Sequence, residues 1–242
     1  MRPTLFLQEL DRWQSFFVRS KQDFQRAIGP LLKEKVFILG SAPGPIRPAD
    51  FSADWSLVCV NASQKSCRAL SLPQPDLLYI RGNIFSEKIE DVEARAAITN
   101  ESAGRVLIQR PDNSRVDLAQ KLAALPYVSS QFDALPRWVK DRAVLDAVGN
   151  FGRFLQVRNA ITAGVAAVAL CHCLGARQIV LGGYSFTVAG HAYSSSQVQR
   201  RNVRNDSLAL RFMLDAGLAL FTTGPEFAEE SGLPVWTGSL QA

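Results

Sequence analysis

A chain of 242 residues, 47% apolar and 20% charged, can bury one sizeable core and is no disordered polymer. Its formal charge of +5 fits anionic ligands such as phosphates, nucleic acid or a lipid surface, without choosing among them. No apolar run reaches the ~18 residues of a membrane span. The opening MRPTLFLQELDRW is too poor in apolar residues for a signal peptide, so a cytosolic chain is expected. The four cysteines follow no disulfide or zinc spacing. Within CHC at 171–173, alternate residues of a helix diverge and cannot close on one metal.

Phe6, Leu10, Trp13, Phe17, Phe24 and Ile28 recur at helical spacing, so residues 4–28 read as one or two amphipathic helices. Arg12, Arg19, Lys21 and Arg26 accompany them, and either packing on the domain or attachment to an anionic membrane would use such a face. Residues 1–34 are taken as an N-terminal extension. Short apolar runs then alternate with turns and helices. VFIL (36–39), LVCV (57–60), LLYI (77–80), RVLIQ (105–109), QIVLG (178–182) and LALFTT (218–223) read as strands. The run at 161–175 is a buried helix with Thr162 at its N-cap and Gly175 at its end, and a second helix spans 205–217. The alternation predicts one doubly wound, Rossmann-like α/β domain over 35–242, its sheet mostly parallel. Residues 110–155, rich in Arg, Asp, Pro and aromatics, read as a lid or small insert within it.

In such sheets, ligands lie in the crevice beyond the carboxyl ends of the strands. Here those ends carry GSAPGP (40–45), NAS (61–63), RGN (81–83) and, after the later strand, Tyr184, Ser185 and Phe186. The set is small and polar, and it supplies no strong acid. There is neither a GxSxG nor a Gly-Lys-Ser/Thr phosphate loop. Asp-x-Asp, which many sugar-nucleotide enzymes use to hold a metal on the diphosphate, is also missing. Phosphate would then be met by Arg, Tyr or a helix N-terminus, with Arg158 and the amides opening the helix at 163 as candidates. Of the two histidines, His172 falls in the buried helix and His191 in a polar loop.

The order VFILGSAPG, VCVNAS, PDLLYIRGN and then ITAGVAAVALCHCLGARQIVLGGYSFTVAGHAY resembles the bacterial lipooligosaccharide sialyltransferases. It also resembles the wider sialyltransferase-like group of sugar transferases and pterin-pyrophosphokinase-related proteins. That family has Gly-Asn-Gly-Pro after its first strand and an asparagine ending the second. A Thr-Ser-Gly opens its buried helix, and Gly-x-Asp-Phe-Tyr-x-x-Gly-x-x-Tyr follows the next strand. This chain matches with Gly40, Asn61, Thr162, Gly164, Gly183, Phe186, Gly190 and Tyr193 over 35–85 and 158–228. Four positions depart. Ser41 replaces a nucleotide-contacting asparagine, Ser185 an aspartate and Thr187 one of two phosphate-holding tyrosines. Arg201 stands where the family has its catalytic histidine, five residues before the aspartate matched by Asp206.

The resemblance implies a metal-independent, cofactor-free glycosyltransferase that uses a nucleotide sugar, CMP-linked in the family, and a glycan or glycolipid acceptor. Gly40, Ser41, Ala42, Asn61, Asn83, Arg158, Thr162, Gly164 and Ser185 are the expected donor-binding residues. His191, Tyr193 and Arg201 are the expected catalytic ones, with His191 replacing the missing base. Arg200 and Arg204 are further cations for the leaving phosphate. The loop at 190–204 is expected to act as a flap over the crevice. Nucleic acid is not expected as a partner; membrane contact and a homo-oligomer are left open. Two alternatives stand beside this reading: a binding protein that kept the fold without the chemistry, and a pyrophosphokinase-like enzyme.

Overall fold

The computed structural model describes residues 32–110, 120–121, 123–158 and 161–238. The helices expected at 4–28 lie outside them. Seven strands form one parallel sheet: β1 Lys35–Leu39, β2 Trp55–Val60, β3 Leu77–Arg81, β4 Ser102–Arg110, β5 Val128–Pro136, β6 Gln178–Gly182 and β7 Ala219–Thr222. Their order is β5-β4-β3-β2-β1-β6-β7. The chain walks outward from β1 to β5, returns, and lays β6 on the other side of β1. The walk reverses at β1 and β6, a switch point, and in such sheets a crevice forms there at the carboxyl edge.

The sheet divides the core into two layers. Along β1, Val36 and Ile38 face one layer while Phe37 and Leu39 face the other. All four are fully buried, which is why the central strand reads as an unbroken apolar run. The first layer holds α2 Arg137–Val148, α3 Phe151–Val157, α4 Ala163–Cys173, α5 Val203–Asp215 and α6 Pro225–Ser231. The second holds α1 Ile89–Ile98 and an aromatic cluster of Phe37, Phe51, Trp55 and Trp236. Helix α4 is apolar all round, with Ala163 and Val165 to Cys171 buried. Its alanines favour helix and let it lie close on the strands. Gly175 follows in the left-handed region at φ +97°, as a helix end prefers.

The described part of 110–155 differs from the irregular lid or insert expected there. It supplies the edge strand β5, paired with β4 along nearly its whole length, and the helices α2 and α3, whose Ala143, Val144, Ala147 and Phe154 are fully buried. Both elements hide their periodicity. β5 is an edge strand whose Ser, Gln, Asp and Pro suit a half-wet position. Helix α2 buries charged Lys140, Asp141 and Arg142 beside its apolar residues, and so carries no clean apolar stripe. Arg105 of β4 and Asp133 of β5 are joined by an ion pair of 2.6 Å, which ties the edge strand down.

Candidate functional site

The two loops at the switch point are stitched together by main chain. The Gly40 amide donates to the Gly182 carbonyl at 2.7 Å, and the Ala42 amide to that of Gly183 at 2.8 Å. Tyr184 then turns inward. A Cβ on Gly40 would lie 2.4 Å from the Gly183 carbonyl oxygen and 2.8 Å from the Tyr184 ring, and one on Gly164 would lie 2.9 Å from the same ring. Both glycines are therefore set by the seat of Tyr184, whose hydroxyl donates to the Gly164 carbonyl at 3.2 Å. The expectation that they admit a ligand is not what their missing side chains explain.

A cavity of about 200 Å³ opens between these loops, the ends of β2 and β3 and the start of α4. Gly40, Ser41, Ala42, Asn61, Asn83, Thr162, Gly164, Ser185, His191, Tyr193 and Arg201 all line it; Arg158 does not. Arg158 closes α3, where its carbonyl accepts from Lys140 Nζ at 3.5 Å and its charge bears on the buried Asp141. Nearness in sequence to the start of α4 suggested Arg158 for the site, but the residue belongs to the end of α3.

Thr162 occupies the N-cap of α4, yet its side chain makes no capping bond. Its amide and hydroxyl donate instead to Asp206 of α5, at 2.8 and 2.7 Å. The first turn of α4 thus keeps its amides uncapped by any side chain, and Ala163, Gly164 and Val165 line the cavity. Free amides and the positive end of the helix dipole favour an anion there. Asp206 is 5% exposed. Burial raises its pKa to about 6, against the lowering effect of the Thr162 bonds.

Asn61 follows β2 directly with φ at 54°, a conformation that Asn tolerates better than most residues. Its Oδ1 accepts the Arg81 amide at 3.1 Å, which leaves the Nδ2 hydrogens to offer. Ser185 is committed elsewhere: its hydroxyl donates to Glu230 of α6 at 3.0 Å, and the Phe186 amide and Thr187 hydroxyl donate to the same carboxylate. Burial pushes the Glu230 pKa up, but these hydrogen bonds outweigh it and hold the group below its ordinary value.

The loop after β6 crosses the mouth. Its Ala192 amide donates to the Ser41 carbonyl at 2.8 Å, and His191 Nδ1 lies 2.8 Å from Ser41 Oγ. The Tyr193 ring stacks on that of His191 at 5.0 Å. Ser194 and Ser195 donate to Glu93 of α1. Arg200 folds back onto the Val188 and Gly190 carbonyls at 2.8 and 2.7 Å. Burial, Arg200 and Arg81 together lower the His191 pKa to about 4, opposed by Glu90. Burial raises the Tyr193 pKa to about 12, so its phenol remains a donor.

Arg81, the first residue of the RGN named at a strand end, also lines the cavity, as does Lys88, which had not been singled out. Arg81 is the last residue of β3, where the strand end faces the crevice. Glu230 gave no signal, because it lies 44 residues beyond Phe186. Arg204 is absent from the lining. Among the described residues, no group of three or more His, Cys, Asp or Glu side chains converges as a metal site.

No family model matches the chain, and no curated protein does. Solved structures do. The sialyltransferase CstII from Campylobacter jejuni, in complex with the substrate analogue CMP-3FNeuAc, is 16% identical with a TM-score of 0.55, over 84% of this chain and 86% of that one. CstII in complex with a trisaccharide acceptor and CMP is 17% identical with a TM-score of 0.56, over 86% and 89%. The monofunctional α-2,3-sialyltransferase Cst-I from the same organism is 12% identical with a TM-score of 0.56, over 84% and 81%. At such identities the likeness is one of fold: this chain shares the Rossmann-like α/β fold of the Campylobacter sialyltransferases.

Proposed function

We propose that the chain is a sialyltransferase-like glycosyltransferase that moves a sugar from a CMP-linked donor to a hydroxyl of a glycan or glycolipid. One observation carries the reading. The uncapped first turn of α4, Arg81, Arg200 and Arg201 surround a single crevice at the switch point, in a fold shared with sialyltransferases solved with CMP. The donor phosphate rests on the α4 amides, Tyr193 donates a hydrogen bond to it, and the exposed Arg201 closes over it. Asn61 offers Nδ2 to the nucleoside. The acceptor oxygen attacks the anomeric carbon, the bond from that carbon to the phosphate oxygen breaks, and the hydroxyl proton leaves to a base. His191 is the base in this reading. The reaction calls for no metal or cofactor, since guanidinium groups and amides meet the phosphate charge. The cavity falls below the ~300–1,000 Å³ usual for small-molecule sites, so the 190–204 loop yields when the donor enters. A cytoplasmic location, close to the membrane that holds a glycolipid acceptor, goes with this function; among the described residues, no helix is long and apolar enough to cross a membrane.

Thermal unfolding in the presence of CMP, CDP, UDP and ADP tests the reading. CMP at 100 times its Kd adds about 2.7 kcal/mol, and a CMP-sugar is consumed when an acceptor is supplied. Stabilisation by none of the four defeats the proposal. One observation favours a non-catalytic binder instead: Arg201 occupies the family's histidine position, and His191 in the free protein has a low affinity for protons. That reading expects CMP to stabilise the chain with no turnover. A pyrophosphokinase would need clustered carboxylates for Mg²⁺; the carboxylates lining the cavity among the described residues are Glu90 and Asp206, and Asp206 is engaged by Thr162.

A further inference from the structure

His191 sits in a setting that resists protonation, and the setting is built by groups that would touch an anionic ligand. Ser41 grips the histidine loop twice, through its carbonyl to the Ala192 amide and through Oγ to Nδ1, both at 2.8 Å. Arg200 Nη1 lies 3.5 Å from the same Nδ1, and the Val188 and Gly190 carbonyls hold that guanidinium in place. A guanidinium only donates. The neutral ring therefore keeps Nδ1 bare and carries its proton on Nε2. Ser41 then donates its hydroxyl proton to Nδ1, and the lone pairs of Oγ remain open toward the cavity that both residues line. The charged groups acting on the ring are Arg200 and Arg81, both positive, and Glu90, negative. Tyr193, stacked on the other face, stays neutral. Two cations against one carboxylate oppose an imidazolium.

We propose that Ser41 and His191 form a proton relay that an anionic donor switches on by offsetting the charge of Arg200 and Arg81. This rests on the glycosyltransferase reading. The acceptor proton passes to Ser41 Oγ as the Ser41 proton passes to Nδ1. The freed oxygen pair forms the bond to the anomeric carbon, and the departing phosphate keeps the pair of the broken bond. The resulting imidazolium is tolerable because the phosphate charge now lies among the same arginines. Before a donor arrives, the relay is idle.

The chain has two histidines, and His172 lies outside the cavity lining, so NMR titration of the imidazoles between pH 4 and 8, with His191→Gln for assignment, reads the ring directly. With CMP bound, the His191 midpoint rises by one pH unit or more, which by reciprocity means about tenfold tighter CMP binding to the protonated form. In the free protein, Arg200→Gln and Arg81→Gln each raise the midpoint; the second covers the case in which loss of Arg200 disturbs the loop. Ser41→Ala lowers kcat with KM nearly unchanged. CMP binding that leaves the midpoint in place overturns the relay while sparing the glycosyltransferase reading, as do arginine variants with an unmoved midpoint. Failure of CMP, CDP, UDP and ADP to bind at all overturns both.

Discussion

Asp206→Asn isolates the energetic cost of a buried carboxylate behind the α4 start. Asp206 accepts the Thr162 amide and hydroxyl at 2.8 and 2.7 Å in a setting only 5% exposed. Burial disfavours the charged form more than the two bonds favour it, so the folded group titrates at about 6, against an ordinary 3.8. The folded chain therefore holds this proton where the unfolded chain has lost it. Stability from this group is complete below about pH 4 and is lost as pH rises toward 6, at ~1.4 kcal/mol per pH unit, or about 3 kcal/mol in all. Asparagine is close in shape to the protonated acid and does not titrate. Urea unfolding of both proteins at pH 4, 5, 6 and 7 gives the difference in stability at each pH, in which every other titrating group cancels. The wild type loses about 3 kcal/mol relative to Asp206→Asn between pH 4 and 7, mostly below pH 6. A difference that stays constant across the range refutes the reasoning, since the carboxylate would then be solvated or fully compensated.

The other tests address the crevice. Gly164→Ala drives a methyl into the Tyr184 ring, 2.9 Å away, and destabilises by about 1–3 kcal/mol in urea unfolding; adding Tyr184→Leu restores part of the loss. Asn61→Ala weakens CMP binding several-fold and also costs about 1 kcal/mol of stability from its left-handed backbone, whereas Asn61→Gly loses the binding and spares the backbone. Turnover of a CMP-sugar persists in EDTA; loss in EDTA with recovery on Mn²⁺ argues for a metal-dependent chemistry instead.

The sheet was legible because its central strands are buried on both faces and so appear as unbroken apolar runs. Strand ends then pointed to the crevice without knowledge of any contact. β5 and α2 were illegible for a related reason: an edge strand half in water and a helix with buried, paired charges keep no simple period. At the site, position along the chain located Ser41, Asn61, Thr162 and His191, but it did not reveal what their side chains do. That Thr162 serves Asp206 rather than its own helix depends on a contact 44 residues away. The partnership of Ser185 with Glu230 spans 45 residues. Such bonds follow from packing, and no local spacing encodes them.

Two of the departures from the sialyltransferase pattern become intelligible as one arrangement. Ser41 has a short side chain that reaches a neighbouring ring nitrogen at 2.8 Å; an asparagine would carry its polar atoms one bond further, into the space His191 occupies. Arg201 at the family's histidine position cannot accept a proton at neutral pH. A chain that retains proton transfer must therefore carry it elsewhere along the cavity, and His191 is the lining imidazole. On the proposed function, the serine after β1 and the arginine before α5 would be complementary, one accommodating the histidine and the other supplying a permanent charge near the leaving group. Restoring either family residue alone should not restore a family-like site. Ser41→Asn displaces the His191 loop, and Arg201→His adds an imidazole while removing a cation from the phosphate. Activity in Ser41→Asn equal to the wild type would separate the two departures and leave Ser41 with no part in the chemistry.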